Sequence, residues 1–164
     1  MERHSAIAET QGLAQSHLGR TQRSSGLEVQ RERQNPGALG FCVDDAHLRP
    51  EHPGWNGGWI VVRAPSCTQE ALLAAIRAGR FYSTCGPEFH SIECEGEVVR
   101  VRTSPVRFIR CAGPAHRGNR CGSFDSRTIS EAEFTIPEDW AYARLEIEDA
   151  SGKRAWTNTL FAEA

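Results

Sequence analysis

The chain has 164 residues and a formal net charge of −2, with 24% of its residues charged and 39% hydrophobic. This length suits one domain, or one domain with a tail. The charge argues against a general affinity for nucleic acid, and no apolar run approaches the roughly 20 residues that span a membrane. Because the polar N-terminal stretch also lacks a signal-peptide core, we expect a cytoplasmic protein whose six cysteines are reduced.

The N-terminal 38 residues differ in kind from the rest of the chain. Residues 1–36 contain no aromatic side chain and are rich in Gln, Ser, Arg and Glu. A segment of this composition buries little apolar surface. We therefore predict a disordered leader over residues 1–38, with a partner-binding arm as the functional alternative.

An apolar run over Leu39–Val43 predicts a strand that ends in three polar groups, those of Asp44, Asp45 and His47. In an extended backbone, the side chains of residues 45 and 47 point to the same side, roughly 6.5–7 Å apart at Cα. Carboxylate oxygen and neutral imidazole nitrogen are both ligands for zinc, manganese or iron. The alternative is that the aspartates cap a turn and that His47 is solvated.

A second strand and a helix are predicted next. Trp59–Ala64 is a short apolar run with β-branched residues, which is typical of a buried strand. Thr68, or Ser66 with Gln69 in a capping box, provides the chemistry of a helix start, and Gly79 suits the position beyond the last turn. The apolar face of this helix is formed by Leu72, Leu73 and Ile76.

Three stretches of this region carry a family resemblance: Val43–His47, Gly58–Val62, and Glu70–Ser83 followed by Gly86 and Pro87. They resemble the closing part of the polymerase-and-histidinol-phosphatase (PHP) superfamily, and within it the bacterial metallohydrolase branch similar to carbaryl hydrolase. The resemblance continues through Lys153–Asn158, so that it covers about Leu39 to Phe161.

The resemblance implies a distorted (β/α)7 barrel with metal ions at the C-terminal ends of its strands. The last metal motif of the family, Asp-x-His, maps onto Asp45 and His47, with Asp44 as a possible third ligand. The early His-x-His motif of the family is not found in this sequence. Residues 39–87 are therefore expected to be the C-terminal piece of a PHP barrel, a strand-loop-strand-helix unit whose other metal motifs are missing.

Residues 88–164 show a different pattern, in which short apolar and polar alternations are separated by turn signals. Such alternation is typical of half-buried antiparallel strands, and we predict a small β-sandwich. The expected fold class is thus α+β, a barrel remnant followed by this sandwich. The predicted strands lie within 92–94, 98–102, 107–111, 132–136, 142–148 and 154–161.

Several other side chains suggest binding sites but have simpler explanations. His116, Arg117, Arg120 and Arg127 lie in or near a Gly-rich loop and could bind a phosphate, but no phosphate-cradling spacing is present, and we expect solvated side chains. Of the tryptophans, Trp59 and Trp156 are expected in the core, whereas Trp55 and Trp140 are the candidates for exposure.

Two functions follow from these expectations. The first is a PHP-type metal-dependent hydrolase, in which metal-activated water attacks a phosphoester or related ester of a small-molecule substrate. A catalytic zinc needs about three protein ligands, and Asp45 and His47 supply two, with Glu51 or His52 as further candidates. We therefore expect the isolated chain to be inactive, with no catalytic residue assigned. The second is a non-catalytic β-sandwich interaction or accessory module. In either case, exposed barrel surface predicts self-association.

Overall fold

The computed structural model describes residues 6–9, 39–51, 54–125 and 127–160. In this part of the chain the structure is mostly β, with one short helix and two antiparallel sheets. One sheet has seven strands in the order β1-β2-β3-β10-β9-β6-β7, and the other has three in the order β4-β5-β8. The elements are β1 (Ala6–Glu9), β2 (Trp59–Ala64), α1 (Gln69–Arg77), β3 (Phe81–Thr84), β4 (Phe89–Glu95), β5 (Val98–Val106), β6 (Phe108–Ala112), β7 (Gly118–Gly122), β8 (Ile129–Thr135), β9 (Arg144–Glu148) and β10 (Arg154–Thr157).

The main core lies between the two sheets. Along β5, Val99 and Val101 are buried whereas Arg100 is exposed, because successive strand residues point to opposite faces. These valines belong to one apolar cluster with Ile109 of β6 and Leu145 of β9, which are fully buried. Burying each such side chain stabilises the fold by about 1.5–3 kcal/mol. This antiparallel part agrees with the sandwich predicted for residues 88–164.

The helix begins and ends where the sequence predicts. The Thr68 hydroxyl accepts a hydrogen bond from the Ala71 N–H at 3.3 Å, and Gly79 has a φ of +68° just beyond the last turn, a conformation that favours glycine. A second apolar cluster joins the helix to the seven-stranded sheet. Its buried members are Ile60, Val62, Ala64, Ala75 and Phe81. Leu72 and Ile76 of the predicted apolar face pack against this cluster, whereas Leu73, predicted on the same face, is 41% exposed.

The prediction of a (β/α)7 barrel remnant is wrong. Strands joined through a helix in such a barrel run parallel, but β2 and β3 pair directly and antiparallel. The helix is an insertion in a β2–β3 hairpin, whose two sides meet where the Arg63 N–H donates to the Arg80 carbonyl at 2.9 Å. Since β3 also pairs with β10, strands from both sides of the predicted boundary at residue 87 share one sheet.

The predicted strand at Leu39–Val43 is also wrong. Residues 39–48 have no regular secondary structure, because both edges of the neighbouring strand β3 are occupied by β2 and β10.

Of the predicted disordered leader, Ala6–Glu9 forms β1 and pairs with β2. The rest of that prediction lies outside the described residues.

Candidate metal-binding loop

The segment that carries the Asp-x-His motif is attached to the sheet through the side chain of Ser83. The Ser83 hydroxyl accepts a hydrogen bond from the Cys42 N–H at 3.0 Å and donates one to the Gly40 carbonyl at 2.9 Å. Register places Ser83 opposite Ile60, on the face of the sheet that the helix covers. The segment therefore crosses that face, and the Phe41 ring packs on Phe81 with ring centres 4.8 Å apart.

Asn158 provides a second attachment at the end of β10. Its amide oxygen accepts a hydrogen bond from the Gly40 N–H at 3.2 Å. Its amide nitrogen donates to the carbonyls of Gly79 and Phe81, both at 3.0 Å. One side chain thus joins the segment, the turn after the helix and the start of β3. A loss of this amide would remove one of the two side-chain attachments of the segment and leave that of Ser83.

Asp44 closes the loop that follows. Its Oδ1 accepts hydrogen bonds from the backbone N–H groups of Gly57 at 2.6 Å and Gly58 at 2.7 Å, and its Oδ2 accepts one from Asn56 at 2.7 Å. These bonds occupy three of the roughly four acceptor positions of a carboxylate. A Cβ at position 58 would lie 2.3 Å from the Cys42 sulfur, so a larger residue than Gly58 would displace the Cys42 side chain. Asp44 therefore acts as a clamp that joins the segment before Asp45 to residues 56–58.

Asp45 and His47 lie exposed at the start of this loop. Asp45 has a φ of +49°, which an aspartate tolerates better than most residues, so the backbone between the two side chains is not extended as expected. Instead, it turns so that His47 Nδ1 lies 2.8 Å from the Asp45 carbonyl oxygen. The turn keeps the imidazole beside the Asp45 backbone.

This hydrogen bond determines the tautomer of the His47 ring. A carbonyl oxygen only accepts, so Nδ1 must carry the proton, and in the neutral imidazole Nε2 then has a free lone pair. Imidazole ligands of metals commonly have this arrangement, in which the other ring nitrogen donates to a carbonyl or carboxylate. His47 thus has the tautomer that metal coordination through Nε2 requires.

The described residues do not complete a metal site around this motif. Within 39–51, 54–125 and 127–160, no group of three or more His, Cys, Asp or Glu side chains is arranged to hold an ion. Glu51 is exposed at the end of the first described stretch of the loop, and His52 lies outside the described residues. The assignment of Asp45 and His47 as ligands, with Asp44 as a third, therefore stays a prediction.

The arginines of the Gly-rich region differ in their partners. Arg117 donates two hydrogen bonds to the Asp139 carboxylate, at 2.7 and 3.0 Å, and these bonds hold the pKa of Asp139 below its usual range. Arg127 Nε donates a hydrogen bond to one carboxylate oxygen of Asp125 at 2.7 Å. Arg120 instead lies over two phenylalanine rings. The structure therefore does not gather these arginines into a single phosphate site.

The tryptophan expectations are confirmed only for Trp55, which is 67% exposed. Trp140 was expected to be exposed, but it is 5% exposed and belongs to the main core. Its ring packs so closely on Gly113 that a Cβ there would lie 2.2 Å from a ring carbon. Trp59 and Trp156 are half-buried rather than fully enclosed.

Sequence reasoning missed the positioning roles of Ser83 and Asn158, because serine and asparagine carry no pattern that marks a long-range attachment. No protein-family model matches the chain, and no curated protein or solved structure matches it. Among the described residues, no helix has the length and apolar character needed to cross a lipid bilayer.

Proposed function

We propose that this chain is part of a PHP-type metal-dependent hydrolase and that Asp45 and His47 are two of its metal ligands. The observation that carries the proposal is the hydrogen bond from His47 Nδ1 to the Asp45 carbonyl, at 2.8 Å. It prepares Nε2 as a ligand, and the two donor side chains lie on one exposed turn. The resemblance around the Asp-x-His motif independently suggests zinc, manganese or iron as the metal.

The proposed reaction is hydrolysis of a phosphoester, or of a related ester or carbamate, in a small-molecule substrate. A bound divalent metal would supply activated water and stabilise developing negative charge. Three further residues would support the two ligands: Asp44 clamps the loop, and Ser83 and Asn158 fix the segment that leads into it. Because a catalytic zinc needs about three protein ligands, Asp45 and His47 alone leave the isolated chain inactive.

Isothermal titration of zinc and manganese into the whole chain tests this proposal. We expect saturable binding that weakens about tenfold or more in His47→Ala, since even loss of a residue that only supports a ligand costs this much. His116→Ala is the matched control, because His116 is also an exposed loop histidine. Equal affinities for wild type and His47→Ala would contradict the assignment of the ligand.

A hydrolysis assay with p-nitrophenyl phosphate addresses the reaction itself. We expect no metal-dependent turnover by the isolated chain. Clear turnover that survives Asp45→Ala combined with His47→Ala would show that the reaction uses a different site. Turnover that is lost in the double variant would instead show that the chain completes its own metal centre.

A non-catalytic interaction or accessory module is the second candidate function. It is favoured by the apolar side chains of Leu39, Phe41 and Val43, which are exposed in a row. Such a row favours self-association. Light scattering during size-exclusion chromatography should then show a concentration-dependent mass that Phe41→Ser reduces to that of the monomer.

We also propose the cytoplasm as the compartment of the protein. Reduced thiols are usual in the cytoplasm, whereas paired cysteines are usual in oxidising compartments. No disulfide is formed by Cys67, Cys85, Cys94, Cys111 or Cys121. Fractionation of cells that express the chain, followed by thiol labelling, would test the compartment.

A further inference from the structure

A row of polar side chains crosses the seven-stranded sheet on the face that also carries Ser83. The register places Arg120 of β7 opposite Arg110 of β6, Arg110 opposite Glu146 of β9, and Glu146 opposite Trp156 of β10. Two arginines are therefore direct cross-strand neighbours. Like charges in such a position repel each other unless they are compensated.

Arg110 is compensated by a closed network of ion pairs. Its guanidinium lies 3.0 Å from Glu146 and 2.9 Å from Glu148. Arg154 contacts the same two carboxylates, at 3.4 and 3.0 Å, and the Trp156 indole N–H donates to Glu146 at 3.2 Å. Two positive and two negative charges balance in this network, so it leaves no carboxylate for Arg120.

Arg120 and its neighbour Arg107 lie around two aromatic rings instead. The Arg107 guanidinium carbon is 5.2 Å from the ring centres of both Phe108 and Phe124, and that of Arg120 is 4.8 and 5.0 Å from the same two centres. We call these four residues the Arg107–Arg120 cluster. Within the described parts of the chain, neither guanidinium has a carboxylate within 4.0 Å. The cluster therefore carries two uncompensated positive charges.

Arg107 also has a hydrogen-bond donor that is left unsatisfied in the described part of the chain. Its Nε is buried and finds no hydrogen-bond partner among the described residues. Its NH2 group reaches only the Phe124 carbonyl, at 3.5 Å. The Nε is enclosed by the protein, so an oxyanion would bind Arg107 at its terminal nitrogens, where the hydrogen bond of NH2 to Phe124 is at the limit of hydrogen-bond length.

The Phe124 ring is open to solvent, whereas the Phe108 ring is buried. Phe108 is 2% exposed beneath the guanidinium groups, whereas Phe124 is 68% exposed. The rings meet edge to face with centres 5.0 Å apart. A large exposed aromatic ring beside two arginines provides a surface on which a second planar ring can stack.

We propose that the Arg107–Arg120 cluster is a binding site for an oxyanion attached to a planar ring. The planar fork of guanidinium binds phosphate and carboxylate oxygens in a bidentate way. In this site, Arg107 and Arg120 bind the oxyanion, and Phe124 stacks on the ring that carries it. The site uses none of the residues of the metal-binding loop. It gives Arg120 the anion-binding role that its Gly-rich sequence context suggests and that the lack of a phosphate-cradling spacing in the sequence argues against.

Calorimetric titration of the whole chain with phenyl phosphate and with benzoate tests the proposal, with phenol as the uncharged ring. We expect one-site, saturable binding of at least one anion and none of phenol. The tighter of the two anions identifies the ligand chemistry as phosphate or carboxylate. Loss of one bidentate, charge-assisted contact in Arg120→Gln should weaken that binding by about tenfold or more.

Arg63→Gln is the matched control, because Arg63 is an exposed strand arginine for which the described residues provide no ion pair. We expect its affinity to stay within about twofold of wild type, as for a distant charge screened by salt. Since Arg107 is half-buried, circular dichroism must confirm the fold of Arg107→Gln, whereas the exposed Arg120 allows substitution without a loss of core packing. The proposal is overturned if neither anion saturates, if phenol binds equally well, or if Arg63→Gln weakens binding as much as Arg120→Gln does.

Discussion

Replacement of Asp44 by alanine should open the loop that carries Asp45 and His47. The change removes three short hydrogen bonds to backbone N–H groups, at 2.6, 2.7 and 2.7 Å. A side-chain oxygen that accepts a hydrogen bond from a backbone N–H at a helix N-cap contributes about 1 kcal/mol to stability, with a range of about 0.5–2. The loop is partly exposed, so that water replaces some of what is lost. We expect the free energy of unfolding to fall by about 2 kcal/mol.

Urea unfolding measures that loss, and hydrogen exchange locates it. Exchange of the Asn56, Gly57 and Gly58 amides should accelerate in Asp44→Ala far more than exchange in the main core. Asp44→Asn keeps one acceptor oxygen and should lose about half as much stability. Asp45→Asn is the matched control, because it changes the adjacent exposed carboxylate and asparagine also tolerates positive φ. Equal stabilities of Asp44→Ala and Asp45→Asn would refute the clamp.

Three further predictions concern the core and its titrating groups. Leu145→Ala should lower the free energy of unfolding, measured in urea, by about 2–5 kcal/mol, because Leu145 is fully buried. Leu73→Ala on the exposed helix face should lower it by less than about 1 kcal/mol. Similar losses for the two variants would contradict the assigned core. Burial raises the pKa of Cys111 to about 11, so iodoacetamide at pH 8 should label exposed Cys67 and leave Cys111 unmodified until the chain unfolds, which mass spectrometry detects. Burial raises the pKa of Tyr82 to about 12, so the folded state holds the hydroxyl proton more tightly than the unfolded state does. The free energy of unfolding should therefore fall between about pH 10 and 12 in wild type and fall less in Tyr82→Phe. Denaturation at a series of pH values measures both.

The antiparallel strands could be predicted because each has one buried and one solvated face. In β5, for example, buried Val99 and Val101 alternate with exposed Arg100 and Arg102. β7 could not be found in this way, since Gly118–Gly122 has the composition of a loop and becomes a strand by pairing with β6. Ser104 and Pro105 have the residue types of a turn, yet they lie inside β5, where the register with β8 shifts, a position at which proline is tolerated.

The error over the barrel has a similar cause. A strand, a helix and a second strand follow one another in the same order in a parallel unit and in a hairpin with an inserted helix. The order of elements therefore does not determine which edges pair. In this fold β10, from the far end of the chain, occupies the edge of β3. That long-range pairing leaves no edge of β3 for Leu39–Val43.

The candidate site could be predicted in its residue types but not in its geometry. The spacing of Asp45 and His47 identified two donors for one metal. The positive φ of Asp45 and the hydrogen bond to its carbonyl directly follow the clamp formed by Asp44 with residues 56–58. Those contacts span more than ten positions along the chain, beyond the reach of local patterns.

Nitrogen NMR of the histidine rings tests the central claim most directly. In the isotope-labelled chain at neutral pH, the His47 ring should be the Nδ1–H tautomer, and zinc should shift its Nε2 resonance while leaving that of His116 in place. This result would establish His47 as a metal ligand through the nitrogen that the structure leaves free. An Nε2–H tautomer, or equal responses of the His47 and His116 rings to zinc, would contradict the account.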